Sequence, residues 1–145
     1  MRKWSAKSLQ VRDTLDHRLI LMVDELLTYM DVSLLYGYRD ERLQSTLYAQ
    51  GKSKLRYPKS KHNTYPSLAV DMQPYPYPTN ENDLRAALGY MAGLCYMIAE
   101  KHGFAIRWGG DWNRNGDVTD NGFDDLFHLE IYSEETSTGV APSSR

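Results

Sequence analysis

The chain has 145 residues, 41% of them hydrophobic, which is enough for one domain with a core of its own. A formal net charge of −2 excludes a protein held to nucleic acid by a basic excess. The one cysteine, Cys95, excludes an intrachain disulfide, and no apolar run nears the roughly 20 residues that span a bilayer, so no membrane insertion is expected.

The first ten residues, MRKWSAKSLQ, are basic but carry no apolar stretch, so they do not read as a signal peptide and synthesis in the cytosol is the expectation. Apolar residues from Leu9 to Leu27, at three- and four-residue spacing, predict a helix over 8–30. VSLLYGYR (32–39) predicts a strand, with Gly37 marking a bulge or a close backbone approach. A second helix follows over 40–50, with Gly51 just past its end. Residues 51–67 are polar, basic and proline-bearing, hence a loop. LAVDMQP (68–74) is a short strand stopped by Pro74, and 74–83 is a proline-rich turn. A third helix runs over 83–102, capped by Asp83 and ended by Gly103. FAIRWGG (104–110) is a strand, DWNRNGDVTDNGFDD a loop, and FDDLFHLEIY (123–132) a last strand. The segment 133–145 lacks apolar content and reads as a mobile tail on a single domain over 1–132. The element order predicts an α+β fold: a small, mainly antiparallel sheet with helices on one side.

The last strand carries the chemistry. On a strand, His128 and Glu130 share a face, and a histidine beside a carboxylate is costly to bury unless a charge lies between them. Asp125 is out of phase with that face and reaches the same site only if the strand begins with a bend near Asp124. With His62 and Asp71, His128 makes two imidazoles and one carboxylate, a ligand set of catalytic zinc that leaves a position for water. Such an ion would acidify that water and polarise a carbonyl, and Asp125 or Glu130 would then move the proton. The alternative is a chance pairing of structural histidines.

Ser60-Lys61-His62, Ala69-Val70-Asp71 and Asp125-Leu126-Phe127-His128-Leu129-Glu130 together resemble the M15 family of zinc peptidases. That family comprises D-alanyl-D-alanine carboxypeptidases and dipeptidases and the L-alanyl-D-glutamate peptidases of phage endolysins. Gly37-Tyr38-Arg39 with Gln44, and GGDWN at 109–113, look like the endolysin branch. The resemblance covers about residues 8–132 and implies a Hedgehog/DD-peptidase-like fold. It implies zinc on His62, Asp71 and His128, Asp125 as general base and acid, and Arg39 as the cation that steadies the oxyanion. It also implies Ser60 and Glu130 as substrate-binding residues, with Glu130 alternatively orienting a ligand histidine. One departure is the His62–Asp71 gap, nine residues here, two longer than the usual H-x-x-G-x-A-x-D and without its glycine. That longer loop alters the rim of the cleft rather than the ligand set.

Asp111, Asn113, Asn115 and Gly116 fit the first half of a calcium loop, to which Asp117 and Asp120 add oxygens; Gly122 stands where the closing glutamate belongs. The other reading is a hydrogen-bonded hairpin loop. His17 and His102 read as surface or packing residues and Cys95 as a buried small hydrophobe. Trp108 and Trp112 line either the cleft or the core, and Tyr75 and Tyr77 are weaker candidates for a cleft wall. The basic run at 52–61 is a solvated loop or an attractor for an anionic stem peptide.

The expectation is therefore a monomeric zinc peptidase that cuts peptidoglycan stem peptides, an endolysin made in the host cytoplasm that reaches the wall after membrane permeabilisation. The alternatives are a D-alanyl-D-alanine carboxypeptidase, or a non-catalytic metal-containing domain that binds cell wall or protein.

Overall fold

The structure, a computed structural model, describes residues 1–133. The tail expected to be mobile lies, from residue 134 on, outside the described residues. Two helices, α1 (Ala6–Arg12) and α2 (His17–Tyr29), replace the single helix expected over 8–30. Asp16 causes the break: its backbone is extended and its carboxylate accepts the Arg18 N–H, so a new helix starts there. The Asp16 N–H donates to the Ser67 carbonyl at 2.9 Å, and the Ser67 N–H to the Thr14 carbonyl at 2.8 Å. Leu15 is buried at the break, which is why the apolar spacing runs through it uninterrupted.

Strand β1 (Val32–Tyr36) is followed by helix α3 (Glu41–Ala49), a 3-10 turn (Lys61–Asn63) and strand β2 (Ala69–Pro74). Helix α4 (Glu81–Lys101) and strands β3 (Ile106–Gly109) and β4 (Asp125–Ile131) complete the order. β1 and β3 are shorter than expected, and the 3-10 turn lies inside the expected loop. Asn80, not Asp83, caps α4: its side chain accepts the Asp83 N–H at 2.8 Å. Asp83 occupies the first turn instead, where an acid also suits the positive end of the helix. Gly51 and Gly103 follow α3 and α4 at φ of 73° and 83°, the left-handed geometry their positions predict.

The four strands form one antiparallel sheet in the order β1-β2-β4-β3, giving the small α+β fold expected. Alternation divides it into two faces. Val70, Met72, Ile106, Trp108, Leu129 and Ile131 point into a core closed by α2 and α4. Asp71, Arg107, His128 and Glu130 occupy the alternate positions and make the other, polar face. Cys95 lies in the core, where burial raises its thiol pKa and keeps it protonated. No helix among the described residues is long and apolar enough to cross a membrane.

The register slips between Trp108 and Gly109, so that Gly109 pairs with Asp125. A register shift of this kind bends the start of β4 relative to β3. Gly109 is required there, because an added Cβ would lie 1.9 Å from the Asp125 carbonyl oxygen. Gly109→Ala should therefore destabilise the fold by about 1–3 kcal/mol or more. The urea midpoint checks this, and an unchanged midpoint would contradict so close an approach.

Candidate metal centre and active site

Three local structures deliver the side chains. His62 sits in the 3-10 turn, where its N–H donates to Ser60 Oγ at 3.1 Å and the Ser60 N–H donates to Asn63 Oδ1 at 3.1 Å. Ser60 and Asn63 thus form a capping box, and His62 lies within the turn that the box closes. The turn is tied down by the Arg39 N–H, which donates to the His62 carbonyl at 2.7 Å, and by Asn63 Nδ2, which donates to the Arg39 carbonyl at 3.0 Å. Asp71 and His128 are direct cross-strand partners on β2 and β4.

Their ligand atoms converge. His128 Nδ1 lies 3.0 Å from Asp71 Oδ1, and His62 Nε2 lies 3.3 Å from both. Among the described residues this is the group of histidines, cysteines and acids compact enough to hold a metal ion. The opposite nitrogens are held as well. His62 Nδ1 is 2.7 Å from the Gly37 carbonyl, which can only accept, so that nitrogen carries the hydrogen and Nε2 presents its lone pair. His128 Nε2 donates to Glu130 Oε1 at 2.9 Å. Asp71 Oδ2 accepts from Arg39 Nη2 at 3.0 Å. Each of the three ligands is therefore oriented from behind. Two imidazoles and a carboxylate at this spacing, with lone pairs facing inward, can coordinate a metal ion.

Burial lowers the His62 pKa and keeps that ring neutral. Burial alone would also lower His128, but hydrogen bonds and charge from Asp71 and Glu130 outweigh it and raise the imidazole to about 9. Burial would raise Asp71, yet the two histidines hold its carboxyl well below the usual range. Glu130, wholly buried, is also held well below that range, by His128, Lys61 and Arg107 against the effect of burial. A cation at the three atoms would satisfy the same negative potential that draws a proton to His128.

The other residues read from the sequence have clear positions. Arg39 is buried, stacked at 4.5 Å on the Tyr36 ring, and donates to Asp71 and, at 3.4 Å, to Gln44. Ser60 is buried and caps the His62 turn. Glu130, read as a substrate contact or as the residue orienting a histidine, makes the second of these contacts and has 0% exposure. Asp125 is buried at the head of β4, outside the ligand triangle, and borders a cavity of about 210 Å³ with Glu81, Arg85 and Asp124. Trp108 belongs to the core, whereas Trp112 packs its ring 5.7 Å from that of His128. His102 pairs with Glu25, and His17 is exposed.

In the 111–122 loop the oxygens serve the loop itself. Asp111 accepts the N–H groups of Asn115 and Gly116, Asn115 Oδ1 accepts that of Asp117, and Asp117 accepts that of Thr119. Asp120 accepts from the side-chain amides of Asn113 and Asn115.

Sequence reasoning missed Arg107, Lys61 as a partner of Glu130, and Asn63. Gln44 was legible only through the resemblance; it is fully buried, and its amide donates to Ser53 Oγ and the Leu55 carbonyl at 2.7 Å each. The basic run is thereby fastened to Arg39. A polar side chain that joins two distant segments leaves no periodic signal.

Residues 1–132 match the family described as phage L-alanyl-D-glutamate peptidase. The chain is also similar in structure to the Serratia marcescens L-Ala D-Glu endopeptidase ChiX, with a TM-score of 0.66, 22% identity and 89% of each chain covered. That likeness carries the fold. No curated protein matches the chain. With a family match that spans the whole sheet and every ligand of the triangle, this chain belongs to the phage L-alanyl-D-glutamate peptidase family.

Proposed function

We propose that this protein is a zinc peptidase that hydrolyses peptidoglycan stem peptides at the L-alanyl-D-glutamate bond, as a phage endolysin does. The observation that carries this reading is the triangle of His62 Nε2, Asp71 Oδ1 and His128 Nδ1, with its edges of 3.0 to 3.3 Å, in a chain of that family. A tetrahedral zinc with bonds of about 2.0–2.1 Å sets its ligand atoms about 3.3–3.4 Å apart. Two imidazole nitrogens favour zinc over calcium or magnesium, which take oxygen ligands. Zinc bound there would supply Lewis acidity, lowering the pKa of a water and polarising the scissile carbonyl.

The chain's own residues would do the rest. Asp125 takes a proton as water adds to the scissile carbonyl and returns it to the departing amine nitrogen as the C–N bond breaks. Its placement three residues before His128 and its burial at the head of β4 support this role. Arg39 fixes Asp71 through Nη2. Its buried Nε has no hydrogen-bond partner among the described residues and is the donor left for a developing oxyanion. Ser60 acts by holding His62 in its turn. We also propose that the enzyme works as a monomer, accumulates in the host cytoplasm and reaches the wall once the membrane is permeabilised. The membership of a phage peptidase family supports the route to the wall.

Digestion of purified peptidoglycan, with mass spectrometry of the fragments, tests the reading. The zinc-loaded protein should free stem peptides cut after L-alanine. Release of terminal D-alanine alone would make it a carboxypeptidase, and zinc binding without cleavage would make it a binding domain. Asp125→Ala should lower kcat by about 10²–10⁴-fold while zinc stays bound. Dialysis against a chelator should abolish cleavage, and one equivalent of Zn²⁺ should restore it; His128→Ala should neither hold zinc nor be restored. Calcium at Asp111, Asn113, Asn115, Asp117 and Asp120 is a separate proposal, supported by their spacing. Calcium binding predicts a higher melting temperature on adding Ca²⁺ at fixed zinc, and no change would leave the loop a hydrogen-bonded turn.

A further inference from the structure

Arg107 and Lys61 take no part in the chemistry above, yet both point at one buried carboxylate. Arg107 stands opposite Glu130 across β3 and β4 and donates to Glu130 Oε2 from Nε at 3.2 Å and Nη2 at 2.9 Å. Lys61 Nζ lies 3.2 Å from the same oxygen and donates to the Ile131 carbonyl at 2.5 Å. The other oxygen, Oε1, accepts from His128 Nε2 at 2.9 Å. Arg107 is 5% exposed and Glu130 0%. Solubility explains ion pairs on a surface, not here. Stability explains it poorly too, because a buried ion pair is often no better than apolar residues of the same size. What the arrangement specifies is orientation. The Arg107 fork fixes the plane of the carboxylate, and the carboxylate fixes the ring of His128. Lys61, next to His62 in the chain, ties the turn of one histidine to the carboxylate behind the other.

We propose that Arg107, assisted by Lys61, is a positioning residue for the metal: it holds Glu130 in one orientation, so that His128 presents Nδ1 beside Asp71 and His62. The inference rests on the metal reading of the site, and its test separates the two.

The test uses the full chain, with Zn²⁺ affinity measured by chelator competition and the absorption spectrum of bound Co²⁺ as a signature of ligand geometry. Arg107→Met should weaken Zn²⁺ binding by about 10–100-fold and alter the Co²⁺ spectrum. In a Glu130→Gln background the same substitution should change affinity less than about twofold, because Arg107 acts through that carboxylate. Arg107→Lys, which keeps one donor of the fork, and Lys61→Met cover the case in which Arg107→Met does not fold. Each should weaken zinc by about tenfold, the lower end of the range for a residue behind a ligand. Wild-type affinity and spectrum in both of these variants, or an equal loss from Arg107→Met in the two backgrounds, would overturn the inference and leave the metal reading intact. A wild-type protein that binds neither ion would remove both.

Discussion

Asp71 and His128 face each other across β2 and β4, and the rest of the molecule depends on that register. A slip of one residue would turn Val70 and Leu129 to the site and bury Asp71 and His128 in the apolar core. Such a slip is suppressed by the core itself, since Val70, Met72, Leu129 and Ile131 are held against α2 and α4 on the opposite face. Hydrophobic burial on one side of the sheet thus sets the position of charged groups on the other. The same alternation that makes a stable sheet makes a site in which two ligands need no loop to position them.

The polar face carries its own constraint. Asp71 is paired with Arg39, and Glu130 with Arg107 and Lys61, all with little or no exposure. Leaving one partner of such a pair uncompensated costs about 3–5 kcal/mol, so these contacts tolerate little change. They also tie the site together through remote segments. Gln44 links Arg39 to the basic loop, and Asn63 links it to the His62 turn. Orientation of the ligands is gained at some expense in stability.

The interruption between α1 and α2 belongs to the same design. Thr14 Oγ1 accepts the Tyr38 N–H at 3.0 Å, and a Cβ on Gly37 would lie 2.4 Å from that hydroxyl. The contact seats Gly37, whose carbonyl holds His62 Nδ1. Thr14 and Asp16 also bind Ser67, close to where β2 begins. The long His62–Asp71 connection is therefore anchored at its far end, and its residues 64–66 lie at the surface. There Tyr65, 65% exposed, meets Tyr38 edge-on with ring centroids 5.2 Å apart.

The sequence by itself determined the α+β class, the ends of α3 and α4, and the residues of the metal triangle. Those features have local or family-wide signatures: alternation on strands, glycine after a helix, and the S-x-H, A-x-D and H-x-E spacings. It misplaced the α1–α2 break and the cap of α4, because Leu15 keeps the apolar period across the break and both Asn80 and Asp83 suit a helix start. Only the tertiary structure decided which nitrogen of each histidine faces inward, since that depends on the Gly37 carbonyl and on Glu130. It alone revealed Arg107, whose partner is set by the register of β3 against β4. Strand register is the sum of many packing contacts distributed over the chain, and no short stretch of residues encodes it.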